Sequence, residues 1–396
     1  MKRIILITTV LPAKLSAGDR VYIYHLVKSL MSFAEVLVVG HSDNGEPCLG
    51  DFGHKQFAAT AAQRSKAASL FSLYPNIIYQ DRTAGMFRLL ERVVPVDGVD
   101  AVICDHLRTY WAIEKLKKRF RQSGNGLPRT VLVMQNHETL ARQSMAEEES
   151  GIMKRWALRW DARKVKHHEQ RAIKDFDRIT AITADDARTL NRAYEKEVTT
   201  VTPGYSGTVL ADRQISCRTR RQAVMLGSFF WQAKQINLRE LALAAGSRFA
   251  SSGVSLKIVG TGPAGLFKEI AGRTKAVEFI GWVESLKEIL LESRVAIVAE
   301  KAGGGFKLKS LDYVFHRVPI AALKGTMAGL PLVPNRDYLE FDSIEDLVGG
   351  VIEAIDDIDR LNRISKNAFD VCRDKFDWGR SGELLFDVAT GRARIE

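Results

Sequence analysis

The chain has 396 residues, 46% of them hydrophobic and 27% charged, which argues against extensive disorder and suits two domains of roughly 200 residues better than one core. A formal charge of +11 and a pI near 9.4 favour a polyanionic partner, whether nucleic acid, anionic lipid or a phosphorylated substrate. Cys48, Cys104, Cys217 and Cys372 lie far apart without paired spacing, so neither a zinc site nor a disulfide framework is expected, and a reducing cytoplasm fits best.

In chain order, the apolar run Ile4 to Val10 stops at Pro12. It is short for a signal peptide or a membrane span and reads as a first buried strand. Strands are predicted at Arg3 to Thr9, Ala34 to Val39, Ala101 to Cys104, Thr130 to Met134 and Arg178 to Ile182. Longer helical patterns separate them, the grammar of a parallel sheet wrapped by helices. His137 follows the fourth of these strands at its carboxyl end, where an imidazole could bond a hydroxyl; a plain loop histidine is the alternative. The stretch Ile152 to Lys174 carries eight basic residues with Trp156 and Trp160 one turn apart. It reads either as a helix lying on an anionic membrane surface, extended by the basic run Lys115 to Arg121, or as a helix whose tryptophans pack on the sheet. His167-His168-Glu169 resembles a metal cluster only superficially, because adjacent histidines point to different faces of a helix.

After Pro203-Gly204-Tyr205 the grammar repeats: strands are predicted at Ala223 to Leu226, Ser255 to Val259, Ala276 to Ile280, Val295 to Val298 and Pro319 to Ala322, then helices at Ile344 to Ile355 and Ile358 to Phe369. Arg213, Arg218, Arg220 and Arg221 lie among polar residues and read as an exposed linker. The expected organisation is residues 1–205 as one domain, 206–370 as a second, and 371–396 as a tail packing back toward the first. The fold class is α/β, with two doubly wound Rossmann-like domains facing a cleft.

Ligands of open parallel sheets bind outside the carboxyl ends of the strands, where glycines let backbone approach phosphate. Gly227, Gly260 and Gly262 follow two such strands, and Gly303-Gly304-Gly305 follow a third. The run continues Phe306-Lys307-Leu308-Lys309-Ser310-Leu311-Asp312. Free N–H groups at Gly304 and Gly305 would meet a diphosphate, Lys309 would add charge, and Asp312 would accept from ribose hydroxyls.

These motifs resemble, in their order, those of the family 4 (group 1) retaining glycosyltransferases, whose two-domain architecture is called GT-B. Met225-Leu226-Gly227 with Lys234 is similar to the family's phosphate signature, with Ser228 at its arginine position. Ile258-Val259-Gly260-Thr261-Gly262-Pro263 is similar to its glycine-x-glycine-proline turn, and Val277 to Val283 to the strand near the base. Gly304 and Asp312 fill the places of its paired glutamates. Lys309 with Asp312 resembles an exopolysaccharide-assembly branch, as does Gly18-Asp19-Arg20 at the head of the first helix.

The resemblance implies a retaining, metal-independent sugar transfer from a nucleotide-sugar, a UDP-sugar favoured over a GDP-sugar, to a hydroxyl of a saccharide or lipid-linked saccharide. His137, Lys234 and Lys309 are the expected catalytic residues. Gly18, Gly227, Ser228, Gly260, Gly262, Val283, Gly304, Gly305, Phe306, Lys307, Leu308 and Asp312 join the two lysines as donor-binding residues. Asp19, Arg20 and His137 are expected on the acceptor. No permanent cofactor, metal or nucleic acid is expected, and the location is cytoplasmic with peripheral contact to the inner membrane face. A nucleotide-sugar epimerase or phosphorylase on the same scaffold, or a non-catalytic polyanion-binding protein, stand as the alternatives.

Overall fold

Runs rich in valine and isoleucine, apolar at successive positions, form strands buried on both faces, as a parallel sheet covered by helices demands. In the computed structural model, which describes residues 1–11, 18–42, 56–60, 64–149, 151–230, 232–274, 276–300 and 306–392, such strands build two sheets in two compact units. Unit 1 comprises Met1–Gly204 and Asp377–Glu396; unit 2 is Tyr205–Phe376.

The sheet of unit 1 holds β1 (Arg3–Ile7), β2 (Glu35–Ser42), β3 (Gln56–Thr60), β4 (Ala101–Asp105), β5 (Arg129–Met134), β6 (Arg178–Ala181) and β7 (Val198–Thr200). Their order is β3-β2-β1-β4-β5-β6-β7, all parallel. Helices α1 (Gly18–Leu30), α2 (Lys66–Leu70), α3 (Asn76–Asp81), α4 (Ala84–Val93), α5 (Tyr110–Gln122), α6 (Glu138–Glu148), α7 (Ile152–Asp175) and α8 (Ala184–Tyr194) connect them. Chain direction across the sheet reverses between β1 and β4. Such a switch point leaves a crevice at the carboxyl ends of the two strands.

Unit 2 repeats the plan with β8 (Gln222–Ser228), β9 (Ser255–Thr261), β10 (Val277–Gly281), β11 (Val295–Val298), β12 (Ile320–Leu323) and β13 (Leu339–Phe341), in the order β10-β9-β8-β11-β12-β13. Here the switch falls between β8 and β11. Its helices are α9 (Gln232–Ser251), α10 (Ala264–Ala271), α11 (Lys287–Glu292), α12 (Leu308–Phe315), α13 (Ile344–Ala354) and α14 (Ile358–Cys372). The two faces of its sheet carry separate apolar clusters, one centred on Met225, Leu241 and Ile258 and the other on Val224, Val298 and Tyr313.

The last helix, α15 (Trp378–Thr390), belongs to unit 1. It packs along α1, where Trp378 stacks on His25 at 5.3 Å, and its Phe386 stacks on Phe33, just past the end of α1, at 6.0 Å.

The Arg213 to Arg221 stretch is not a linker. Arg213 donates to the carbonyls of Arg317, Leu290, Leu291 and Ser293, and Arg221 grips Asp356 through two bonds. Those contacts build the segment into unit 2. Desolvation first, and then the neighbouring charge of Arg317, lower the Arg213 pKa to about 10.

Candidate functional site

At the switch of unit 2, β8 ends in Gly227-Ser228 and β9 in Gly260-Thr261, and the register pairs Gly227 with Gly260 and Ser228 with Thr261. Gly260 takes φ of +134°, and a Cβ there would sit 1.8 Å from the Gly227 carbonyl oxygen. Only glycine permits this approach. At Gly262 a Cβ would press on Phe229 and Phe267, each at 2.9 Å, so the turn after β9 hugs the sheet. Val283, just beyond β10, packs into the unit 2 core together with Phe306 and Leu308.

Helix α12 starts beside these strand ends. Lys307 occupies its N-cap position and Lys309 its first turn. Lys309 Nζ donates to the Leu226 carbonyl at 3.1 Å and to Glu300 at 2.5 Å, and Lys307 Nζ lies 3.2 Å from the other oxygen of the same carboxylate. Lys234, on α9, adds its field to that group. Burial works to raise the Glu300 pKa, but Lys309, Lys307 and Lys234 override it and hold the carboxyl far below its ordinary range. One turn along α12, Asp312 accepts from the Tyr205 hydroxyl at 3.1 Å. The structure thus brings Lys234, Lys307 and Lys309 together at the end of β8. Gly304 and Gly305 lie outside the described residues.

Sequence reasoning missed Glu300. Its signal was a carboxylate two residues after the fully buried β11, at the switch point, where an acid is buried only with partners.

In unit 1 the equivalent position belongs to Asp105, at the end of β4. Its carboxylate accepts from Thr8 Oγ at 3.0 Å and from Gln135 Nε2 at 2.8 Å, so it joins β1, β4 and the chain after β5. Burial raises the Asp105 pKa, opposed by the Gln135 bond, His106 and the Thr8 bond, while Asp19 adds a repulsive charge. The next residue, His106, has φ of +75°, a conformation a histidine adopts only when its surroundings enforce it. His106 Nδ1 accepts from the Arg108 amide at 3.2 Å, which leaves Nε2–H to donate to Glu138 at 3.0 Å. Burial would raise the Glu138 pKa, but His106 first and then Arg142 bring it down to about 2. Arg108 forms a two-bond pair with Asp81, at 2.8 and 2.6 Å.

Gly18, expected on the donor, and Asp19, expected on the acceptor, are exposed at the start of α1, and Arg20, also expected on the acceptor, is half-buried. Asp19 lies in the field of both Asp105 and Arg108. His137 is buried and caps α6, its Nδ1 accepting from the Leu140 amide at 3.4 Å and lying 3.4 Å from Glu169. It is His106, unnoticed in the sequence, that stands at the strand ends.

The His167-His168-Glu169 run is structural. Glu169 accepts from the Glu138 amide and from the Thr139 and Tyr194 hydroxyls, and His168 Nε2 meets the Leu73 carbonyl. Among the described residues no group of three or more His, Cys, Asp or Glu could hold a metal ion.

Helix α7 turns its tryptophans outward, which overturns the reading that packs them on the sheet. Trp156 is 69% and Trp160 41% exposed, and the rings stack at 6.5 Å. Trp160 Nε1 donates to Leu70, beside exposed Phe71 and Leu73, and Ile152 and Met153 extend the apolar patch. Lys154, Arg159, Arg163 and Lys166 are exposed on the same helix. A recess of about 520 Å³ between α5 and α7, lined by Lys117, Lys118, Arg121 and Arg171 among others, holds none of the candidate residues. No helix of the described residues is long and apolar enough to cross a membrane.

Residues 220–357 match the family described as Glycosyl transferases group 1. No curated protein matches the chain by sequence. Among solved structures the chain is similar to WaaG, a glycosyltransferase involved in lipopolysaccharide biosynthesis, at 13% identity and a TM-score of 0.68, covering 98% of this chain and 100% of that one. It is similar to Anabaena HepE in complex with UDP and glucose at 12% identity and a TM-score of 0.66, covering 99% and 100%. It is also similar to the α,α-trehalose 6-phosphate synthase of Burkholderia multivorans at 12% identity and a TM-score of 0.63, covering 99% of each chain. The likeness to these structures fixes the fold as GT-B.

Proposed function

Because residues 220–357 match the group 1 glycosyl transferases and the whole chain has the GT-B fold, we propose that it transfers a sugar from a nucleotide-sugar donor to a hydroxyl acceptor, with retention of configuration. The observation that carries this reading is the lysine cluster at the switch between β8 and β11, anchored by Lys309 on the Leu226 carbonyl and on Glu300. A diphosphate leaving group develops negative charge as the bond to the sugar breaks, and fixed cations at that point lower the barrier.

In this reading Lys309, Lys307 and Lys234 hold the diphosphate, and Asp312 holds a ribose hydroxyl. The backbone at Gly227, Ser228, Gly260 and Gly262 gives the phosphates room, and Phe306, Leu308 and Val283 wall the nucleotide. The lysines supply the charge that a divalent ion would otherwise bring, so transfer is metal-independent. The acceptor oxygen bonds to the anomeric carbon as its bond to phosphate breaks, and the departing phosphate takes the acceptor's proton on the same face. UDP is the favoured nucleotide, since a structural neighbour was solved with UDP. Unit 1 takes the acceptor, with Asp19 and Arg20 at the head of α1, Asp105 and His106 at the end of β4 and His137 supporting α6, while Gly18 is assigned to the donor.

A lipid-linked saccharide is the proposed acceptor, met at an anionic membrane surface. The outward Trp156 and Trp160, the neighbouring Phe71 and Leu73 and the basic face of α7 have the chemistry of an interfacial helix.

The test is a thermal-shift panel of UDP, GDP, ADP and NAD in metal-free buffer, because a ligand that binds the native state raises its melting temperature. Stabilisation by UDP or GDP supports the reading and identifies the base. No response to either would overturn it.

A further inference from the structure

The segment that opens unit 2 lies back along α12 and presents a side chain to its acid. The Leu210 amide donates to the Phe315 carbonyl at 2.8 Å, and the Tyr205 ring stacks on Phe315 at 4.3 Å. These contacts aim the phenol at Asp312 Oδ1, 3.1 Å away, while the Thr208 carbonyl stands 3.2 Å from the same hydroxyl. The chain turns so closely over the phenol that a Cβ at Gly207 would fall 2.3 Å from its oxygen. Glycine there leaves the hydroxyl room to reach the carboxylate. Burial first, and then the charge of Asp312, push the Tyr205 pKa well above its ordinary value, so the phenol stays protonated and acts as a donor. Its one proton faces two acceptors. With Asp312 ionised, the carboxylate is the stronger acceptor and takes it. With Asp312 protonated, the acid donates to the phenol oxygen and the phenol to Thr208.

Resting on the donor reading above, we infer that Tyr205 is a positioning residue of the donor site, which holds the Asp312 carboxylate ionised and in place to accept from the ribose. It acts through Asp312 rather than on the nucleotide. An ionised carboxylate makes the stronger, charge-assisted bond to a ribose hydroxyl, and a donor that bonds the charged form favours that form. The Tyr205 bond accordingly opposes the rise that burial causes in the Asp312 pKa. On the same helix, Lys309 is engaged with Glu300 and the Leu226 carbonyl, and Tyr313 accepts from the Leu226 amide. His316 Nδ1 meets the Asp312 backbone carbonyl at 2.8 Å rather than the carboxylate. Helix α14 and strand β12 bring Ala368, Phe369, Cys372, Ile320 and Ala322 to the shared apolar cluster. Of these Cys372 can titrate, and burial pushes its pKa up to about 12, so it is neutral where Asp312 ionises.

Titration calorimetry on the full chain with UDP, and in parallel GDP, from pH 6 to 8.5 at fixed salt tests this. Tyr205→Phe keeps the ring on Phe315 and removes only the hydroxyl. For whichever nucleotide binds, its affinity should fall below that of the wild type by about twofold to tenfold at pH 7 and return to within about twofold at pH 8.5, because the acid limb of binding moves up into the neutral range. The charge of Lys301 and the nucleotide's own ionisation are common to both proteins and cancel in this ratio. Gly207→Ala, which crowds the hydroxyl away from Asp312 with Tyr205 intact, should reproduce the pattern and serves if Tyr205→Phe fails to fold. In an Asp312→Asn background, Tyr205→Phe should add no pH-dependent loss. A loss of the same size at every pH, or none, would overturn the inference and leave Tyr205 as a packing residue. A wild type that binds neither nucleotide would overturn the donor reading itself, and this inference with it.

Discussion

The Tyr205 hydroxyl donates to the Asp312 carboxylate at 3.1 Å while its ring stacks on Phe315 at 4.3 Å, tying the first residue of unit 2 to the helix that carries Lys309. Burial pushes the Asp312 pKa up to about 6, with the Tyr205 bond opposing the rise. Because the folded value lies above that of a free aspartate, the native state holds this proton more tightly than the unfolded chain. The stability this group contributes is complete below about pH 4 and is lost as pH rises through 6. Asp312→Asn should therefore stabilise unit 2 at pH 7.5 by about 2 kcal/mol and leave it nearly unchanged at pH 4. Urea melts at the two pH values check this, and the same variant should weaken nucleotide binding.

Lys309→Ala removes a charge-assisted contact and should lower affinity for the stabilising nucleotide at least about tenfold, given a worth of about 1.5–3 kcal/mol for such bonds. Calorimetry reads the change directly. Affinity equal to that of the wild type would remove Lys309 from the donor site.

Gly260→Ala puts a methyl group 1.8 Å from the Gly227 oxygen at a backbone angle that disfavours side chains. A loss of more than about 3 kcal/mol is expected, in the range reserved for core clashes and backbone strain. Gly265, where a Cβ would meet nothing within 4 Å, is the control: its alanine variant should melt near the wild-type temperature.

Asp105→Ala strands the Gln135 amide and leaves the Thr8 hydroxyl only the longer bond to the Val10 carbonyl at 3.3 Å. With Thr8 and Asp105 both buried, the cost should be about 2–4 kcal/mol. A Thr8→Val, Asp105→Ala double variant should lose less than the sum of the singles, as chemical denaturation would show.

Replacing Trp156 and Trp160 together by alanine should abolish binding to vesicles of anionic phospholipid at low salt, with little change in melting temperature, because both rings are exposed. Wild-type sedimentation that ignores such vesicles would remove the membrane from the proposal.

Much of this architecture was legible because parallel strands buried on both faces announce themselves as apolar runs. Val295 to Val298 coincides with β11, and Arg178 to Ile182 overshoots β6 by one residue. The strands that went unread are β3, β7 and β13, all at or next to sheet edges. Gln56-Phe57-Ala58-Ala59-Thr60 has little β-branched character, and β7 and β13 are three residues each. That Gly227, Gly260 and Lys309 meet at strand ends could be read because a glycine or lysine after a strand has a phosphate-binding logic in sequence. Glu300 and His106 could not. Their roles arise from partners distant in the chain or from a backbone angle: Glu300 needs Lys234 on another helix, and His106 needs Glu138 on the far side of β5.

The Tyr205 amide donates to the Phe376 carbonyl at 3.0 Å, so the chain enters and leaves unit 2 at adjacent points before α15 completes unit 1. This has a consequence for biosynthesis, since domains fold as units during synthesis from the N-terminus. Every residue of unit 2 is made before α15 exists to cover Tyr22 and His25 on α1 and Phe33 just beyond it. A nascent chain therefore finishes the second unit first, and the unit that began earliest is the last to close.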